Sequence, residues 1–92
     1  MYKLKVPHEI TEFIGNMHPH LKKKVGASMQ VIISEPYSGK ALKDELEGLW
    51  SFRVGRFRII YGIAAANKQI EIVAVGPRNL IYEEILRLVR KS

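Results

Sequence analysis

The 92-residue sequence contains no cysteine. A disulfide framework and a thiolate metal site are both excluded. That usage fits a reducing cytoplasm, which is the expected location. No apolar run approaches the roughly 18 residues of a membrane span. Met1 to Val6 alternates lysine with apolar residues and has no long apolar core, so no signal peptide is expected. Internal repeats, low-complexity stretches and linkers are also missing, and residues 1–92 are expected to form one domain. Acids are scarce. Nine Asp and Glu face fifteen Lys and Arg, leaving a net charge of +6. A small basic protein is drawn to nucleic acid, to acidic membranes or to an acidic protein partner. The shortage is uneven. From Gly48 to Ile70 there are four bases (Arg53, Arg56, Arg58, Lys68) and no acid. With 47% apolar and 26% charged residues, the chain has enough apolar material for a modest core and does not read as disordered.

The patterning predicts seven elements. Tyr2 to Val6 alternates as a half-buried strand. Pro7 suits the first position of a helix, and Ile10, Phe13, Ile14 and Met17 recur at helical spacing. Pro19 opens a second helix with Leu21, Val25, Met29 and Ile32 as its buried stripe. It is expected to stop before Pro36, because a residue preceding proline disfavours the helical region. Pro36 to Lys40 reads as a loop. Lys40 to Gly48 fits either a helical turn or an extended connection. Trp50–Val54 and Phe57–Ile63 form a central hairpin, Asn67-Lys68 turns the chain, and Ile70–Val75 is the next strand. Tyr82, Ile85, Leu86 and Val89 mark a short C-terminal helix. The expected fold is α+β, in the order β-α-α-β-β-β-α. A helical hairpin packs on one face of a largely antiparallel four-stranded sheet.

The hairpin holds the strongest signal. Gly55-Arg56 fits a two-residue type II′ loop with glycine first. Closing it pairs Val54 with Phe57, Arg53 with Arg58 and Ser51 with Ile60. Side chains alternate along a strand, so Arg53 and Arg58 share a face and stand opposite each other. Like charges directly opposite are destabilising. An anion bridging them removes the conflict, and guanidinium forks match phosphate oxygens. Trp50, Phe52, Val54, Phe57, Ile59, Tyr61 and Ile63 point the other way, toward the helices. A two-residue Asn67-Lys68 turn would pair Ile60 with Val75 and set Arg58 beside Pro77. Arg78 then leaves the strand next to Arg58, with Tyr82 about one turn further on.

Arginines and an aromatic hydroxyl on one sheet face suit RNA, by phosphate neutralisation and base stacking. They also suit RNA cleavage. The ribose 2′-hydroxyl attacks the adjacent phosphorus, so the substrate supplies the nucleophile. Arginines stabilise the added negative charge by preorganised electrostatics. Tyrosine is a poor base, ionising near pH 10, but surrounding positive charge favours the phenolate. Tyr82 is a candidate for proton transfer or for stacking. Blander roles are solvated surface charge for Arg53 and Arg58, and a core position for Tyr82. Lys22-Lys23-Lys24 reads as a solvated helix face. His8, His18 and His20 lie at helix starts, where capping or surface roles are expected, and no metal or cofactor site is read from them.

The segment LWSFRVGRFRIIYGI, followed by IEIVAVGPRNLIYEEI, resembles the bacterial and archaeal RelE/ParE toxin superfamily. The resemblance covers the whole chain in element order and residues 42 to 82 in motif detail. Its RelE branch implies a toxin that cleaves translated mRNA on the ribosome without a metal. It also implies a RelB-like cognate antitoxin that wraps the toxin in a hetero-oligomer, and no membrane. By position, Arg53 matches a basic residue of the first hairpin strand. Arg58 matches the arginine that stabilises the transition state, Arg78 the arginine after the last strand, and Tyr82 the C-terminal tyrosine. Arg56, Lys40, Lys43 and Ser51 are expected to contact RNA. Ser51 departs from the pattern, because some members carry a lysine there that is a candidate proton carrier. Two rivals stay open: a ParE-like inhibitor of DNA gyrase that cuts no RNA, and a catalytically weakened binding protein.

Overall fold

A computed structural model describes residues 1–91. Five strands and three helices alternate as β1 (Lys3–Lys5), α1 (His8–Gly15), α2 (Pro19–Ser34), β2 (Lys40–Ala41), β3 (Leu49–Val54), β4 (Phe57–Ala64), β5 (Gln69–Pro77) and α3 (Arg78–Lys91). Short 3-10 turns occupy Pro36–Ser38, Asp44–Leu46 and Ala65–Asn67. The sheet order is β1-β5-β4-β3-β2. Among the described residues, only the β1–β5 pair is parallel.

The α+β class and the helical hairpin match the sequence reading. The strand count is five rather than four. The additional strand, β2, is two exposed residues long, and apolar periodicity has nothing to register in so short a segment. Pro7 stands just outside α1 rather than at its first position, with its carbonyl accepting from the Ile10 and Thr11 amides at 3.1 Å. Pro19 does open α2. His18 caps that helix, its Nδ1 accepting from the His20 amide at 3.2 Å.

The β3–β4 register is the one that alternation requires: Val54 opposite Phe57, Arg53 opposite Arg58, Ser51 opposite Ile60. Gly55 takes φ +60° and Arg56 stays at negative φ, as a type II′ turn demands. The β4–β5 register differs from expectation. Four residues, Ala65 to Lys68, make the connection, with Lys68 left-handed at φ 51°. A bulge then interrupts the ladder between Ile60 and Tyr61. Tyr61 pairs with Ile72 and Ile60 with Ala74, which leaves Val73 as the extra residue. Ile60 therefore faces Ala74 rather than Val75, and Arg58 faces Gly76 rather than Pro77.

The two sheet faces are both covered. Val25, Met29 and Ile32 of α2 bury Val54, Ile59, Tyr61, Ile70, Ile72 and Val75, with Ile10 and Ile14 of α1 at the margin. The buried Tyr61 hydroxyl donates to the Pro36 carbonyl at 2.7 Å, and burial pushes its phenol up in pKa. The hairpin pattern alone implies that the opposite face, with Arg53 and Arg58, is open, but the structure covers part of it. Ile81 and Ile85 of α3 pack there against Ile60 and Ala74. At about 25 cal/mol per Å² of apolar surface, an uncovered isoleucine in mid-sheet would forfeit roughly 1.5–3 kcal/mol. The long arm of α3 satisfies Ile60. Its far end is tied down by Arg90, whose Nε and Nη2 donate to the Glu45 carboxylate at 3.0 and 3.1 Å.

Candidate nucleic-acid interface

At the turn end of the hairpin, two pieces of chain are joined by one backbone contact. The Arg78 amide, first in α3, donates to the Arg56 carbonyl in the turn at 2.9 Å. This bond holds the start of α3 against the hairpin tip. Gly76 packs close to α3, where a Cβ would lie 3.0 Å from the Ile81 Cδ1. An open groove of about 650 Å³ results, lined by Arg53, Arg56, Arg78, Asn79 and Tyr82, with Phe57 and Pro77 as its apolar floor.

Two local electrostatic rules are broken at this place. Arg53 and Arg58 are direct cross-strand partners of like charge. Arg78 puts a cation at the N-terminus of a 14-residue helix, where the backbone dipole is positive. No acidic residue sits in the first turn of α3. Among the described residues the ion pairs are His8–Glu12 and Arg90–Glu45, and neither reaches these arginines. Arg53 Nε donates only to the nearby Gly55 carbonyl, at 3.3 Å. The groove thus gathers positive charge from side chains and helix end alike, which is a fit for phosphate.

The sequence-derived residues fall into three groups. Arg53, Arg56, Arg78 and Tyr82 line the groove together. Arg58, half-buried, is not among its lining residues. It enters the same face from β4, between Arg53 on one side and Gly76 on the other. Lys40 and Ser51 adjoin the site. Lys40 is the exposed cross-strand partner of Ser51, so the two leave the same sheet face. Ser51 is 2% exposed, and its Oγ lies 3.0 Å from the Tyr82 hydroxyl oxygen. It stands behind Tyr82 rather than facing the groove. Lys43 is exposed just before the 3-10 turn Asp44–Leu46, away from the groove lining. Asn79 lies outside the sequence expectation, which starts the last helix at Ile81; the structure starts α3 at Arg78 and brings Asn79 into the groove lining. The histidines take local roles in capping, stacking and an i,i+4 pair with Glu12.

Residues 8–82 match a family model described as the ParE toxin of the type II toxin–antitoxin system parDE. The chain belongs to the RelE/ParE superfamily of type II toxins. A curated relative, Toxin RelE of Mycobacterium tuberculosis, is 35% identical over 52 residues, 55% of this chain and 54% of the relative. The match thus spans about half the length of that curated toxin. Among solved structures, a chain of the M. tuberculosis RelBE2 toxin–antitoxin complex superposes with a TM-score of 0.74. It has 25% identity, over 84% of this chain and 98% of the other. The isolated E. coli RelE toxin superposes with a TM-score of 0.72 at 12% identity, over 97% and 99% of the two chains. At that identity the likeness speaks for the fold alone. The chain is RelE-like in its sheet and in its helices.

Proposed function

We propose that this toxin is a ribosome-dependent endoribonuclease that cuts translated mRNA, and that the arginine groove is its active site. The observation that carries the reading is the convergence of Arg53, Arg56 and Arg78 with Tyr82 in one groove that holds no carboxylate. Arg53, Arg58 and Arg78 bind the scissile phosphate and stabilise the charge that builds on its oxygens. The 2′-hydroxyl oxygen forms a bond to phosphorus as the bond from phosphorus to the 5′ oxygen breaks. Solvent water takes the proton of the 2′-hydroxyl. Tyr82 gives its phenolic proton to the departing 5′ oxygen and recovers one from solvent. The products are a 2′,3′-cyclic phosphate and a 5′-hydroxyl. The substrate supplies the nucleophile, so the protein's part is orientation, charge and proton delivery. Arg56, Lys40 and Lys43 add positive charge along the path of the RNA.

The reading includes a cytoplasmic site of action and a RelB-like cognate antitoxin that covers the basic groove. Expression of the chain followed by mapping of mRNA 5′ ends tests it. Cuts inside translated codons are the expected result. Intact mRNA together with supercoiling defects would instead identify a gyrase inhibitor. Intact mRNA with normal growth would identify a binding protein with no nuclease activity.

A further inference from the structure

Ser51 is the buried polar residue among those described, at 2% exposure. A buried hydroxyl is costly unless it is hydrogen-bonded. Its partner comes from 31 residues away: Ser51 Oγ and the Tyr82 hydroxyl oxygen are 3.0 Å apart, and either atom can be the donor. Tyr82 is half-buried, with part of its side chain lining the arginine groove. One strand alternation separates Ser51 from Arg53 on the same face, and Lys40 stands directly across from it on β2.

We propose that Ser51 is the positioning residue for Tyr82, fixing the phenol at the groove wall and serving it in both protonation states. The inference rests on the nuclease reading above. A serine hydroxyl offers one donor and two acceptor lone pairs. With Tyr82 protonated, Ser51 accepts from the phenol or donates to it. With Tyr82 as phenolate, the Ser51 O–H turns about its Cβ–Oγ bond and donates. No heavy atom moves, and neither state leaves a buried polar atom unpaired. A lysine at this position could only donate, and a carboxylate could only accept. The chain therefore meets the demand for a partner to the phenol with a neutral group. Ser51 itself does not touch the RNA. It acts through Tyr82, while the positive charge of the site stays with the arginines.

The test is single-turnover cleavage of mRNA on programmed ribosomes by the full chain, in four forms: wild type, Ser51→Ala, Tyr82→Phe and the double variant. Tyr82→Phe is expected to slow cleavage on the order of 100-fold. Ser51→Ala is expected to slow it by roughly 10-fold, the weight of one hydrogen bond, at unchanged half-saturation by ribosomes. The double variant is expected to be no slower than Tyr82→Phe alone, because Ser51 has nothing left to position. Ser51→Cys puts a slightly larger thiol in place of the hydroxyl and weakens the hydrogen bond. It is expected to fall between wild type and Ser51→Ala, and it carries the test if the alanine variant does not fold. A Ser51→Ala effect of the same size with and without the phenol overturns the proposal, as does no effect at all. Wild-type protein that leaves mRNA intact overturns the nuclease reading and this inference with it. Active wild type with additive variants overturns only the inference.

Discussion

The two faces of the sheet use the same strands for different ends. The face toward α1 and α2 is a continuous apolar layer, with Val25 and Ile32 against Ile59, Tyr61 and Ile70. Its buried cluster contains no charged group, and it meets the groove only at Phe57, on its edge. The face toward α3 has a small apolar patch of Ile60, Ala74, Ile81 and Ile85. Beside that patch lie Ser51, Arg53 and Arg58. Strand alternation is what makes the division available, since each residue step reverses the side chain. The difference teaches that the stabilising core and the proposed chemistry are separated here by a single sheet thickness rather than by distance along the chain.

Adjacent isoleucines allow the largest break of that division. Ile59→Ala and Ile60→Ala are both expected to cost about 2–5 kcal/mol in urea unfolding, since both side chains are fully buried. At temperatures where both variants remain folded, only Ile60→Ala should also slow mRNA cleavage, because only it loosens the seat of α3. Equal losses of cleavage in the two variants would erase the distinction between the faces.

Next in size is Arg58→Ala, expected to reduce cleavage and growth inhibition roughly 100- to 1000-fold, or about 2.7–4 kcal/mol of transition-state stabilisation. Its thermal melt should stay level or rise, because the substitution removes a like-charge contact with Arg53. Undiminished toxicity in the folded variant would reject the role assigned to Arg58.

Binding is expected to respond more gently. If three groove arginines contact phosphates, the affinity for a short single-stranded RNA should fall with salt at a log–log slope of about −2. Arg56→Ala should reduce that slope by roughly 0.7, as fluorescence anisotropy can measure. An unchanged slope would place Arg56 off the path of the RNA.

The smallest effect concerns the outer end of α3. The Arg90 guanidinium holds the Glu45 carboxyl below its ordinary pKa. A depressed folded value means the pair contributes above the unfolded value, near pH 4.3. That contribution disappears as pH falls through the folded value. Melting of wild type and Glu45→Gln should therefore converge in acid and separate slightly near neutrality, with high salt shrinking the gap. A gap that widened in acid would contradict the assigned pair.

Legibility from the sequence followed the range of the interactions. Gly55-Arg56 and the alternation around it are local, so the hairpin register and the Arg53–Arg58 pairing were readable. The buried stripe of α2 was readable for the same reason. The placement of α3 was not, because an amphipathic pattern says which side of a helix is buried and not which sheet face it covers. Ile60 is the hint the sequence carries, an apolar residue on the face of Arg53 and Arg58. The bulge at Val73 was hidden by the assumption of a two-residue turn. The partnership of Ser51 with Tyr82 joins two distant segments, and neither segment announces it.

The bulge has a consequence for how the gene tolerates length changes. Along β5 two apolar series run out of step: Ile70 and Ile72 before Val73, Val75 and Pro77 after it. Deleting Val73 would bring them into step and leave Ala74 opposite Ile60 and Gly76 opposite Arg58. Deleting Val75, two codons downstream, would carry Pro77 opposite Arg58 and bring Arg78 opposite Phe57, on the apolar side. One in-frame codon loss is expected to be nearly silent and the other to dismantle the groove, so the strand records in its spacing where the proposed active site begins.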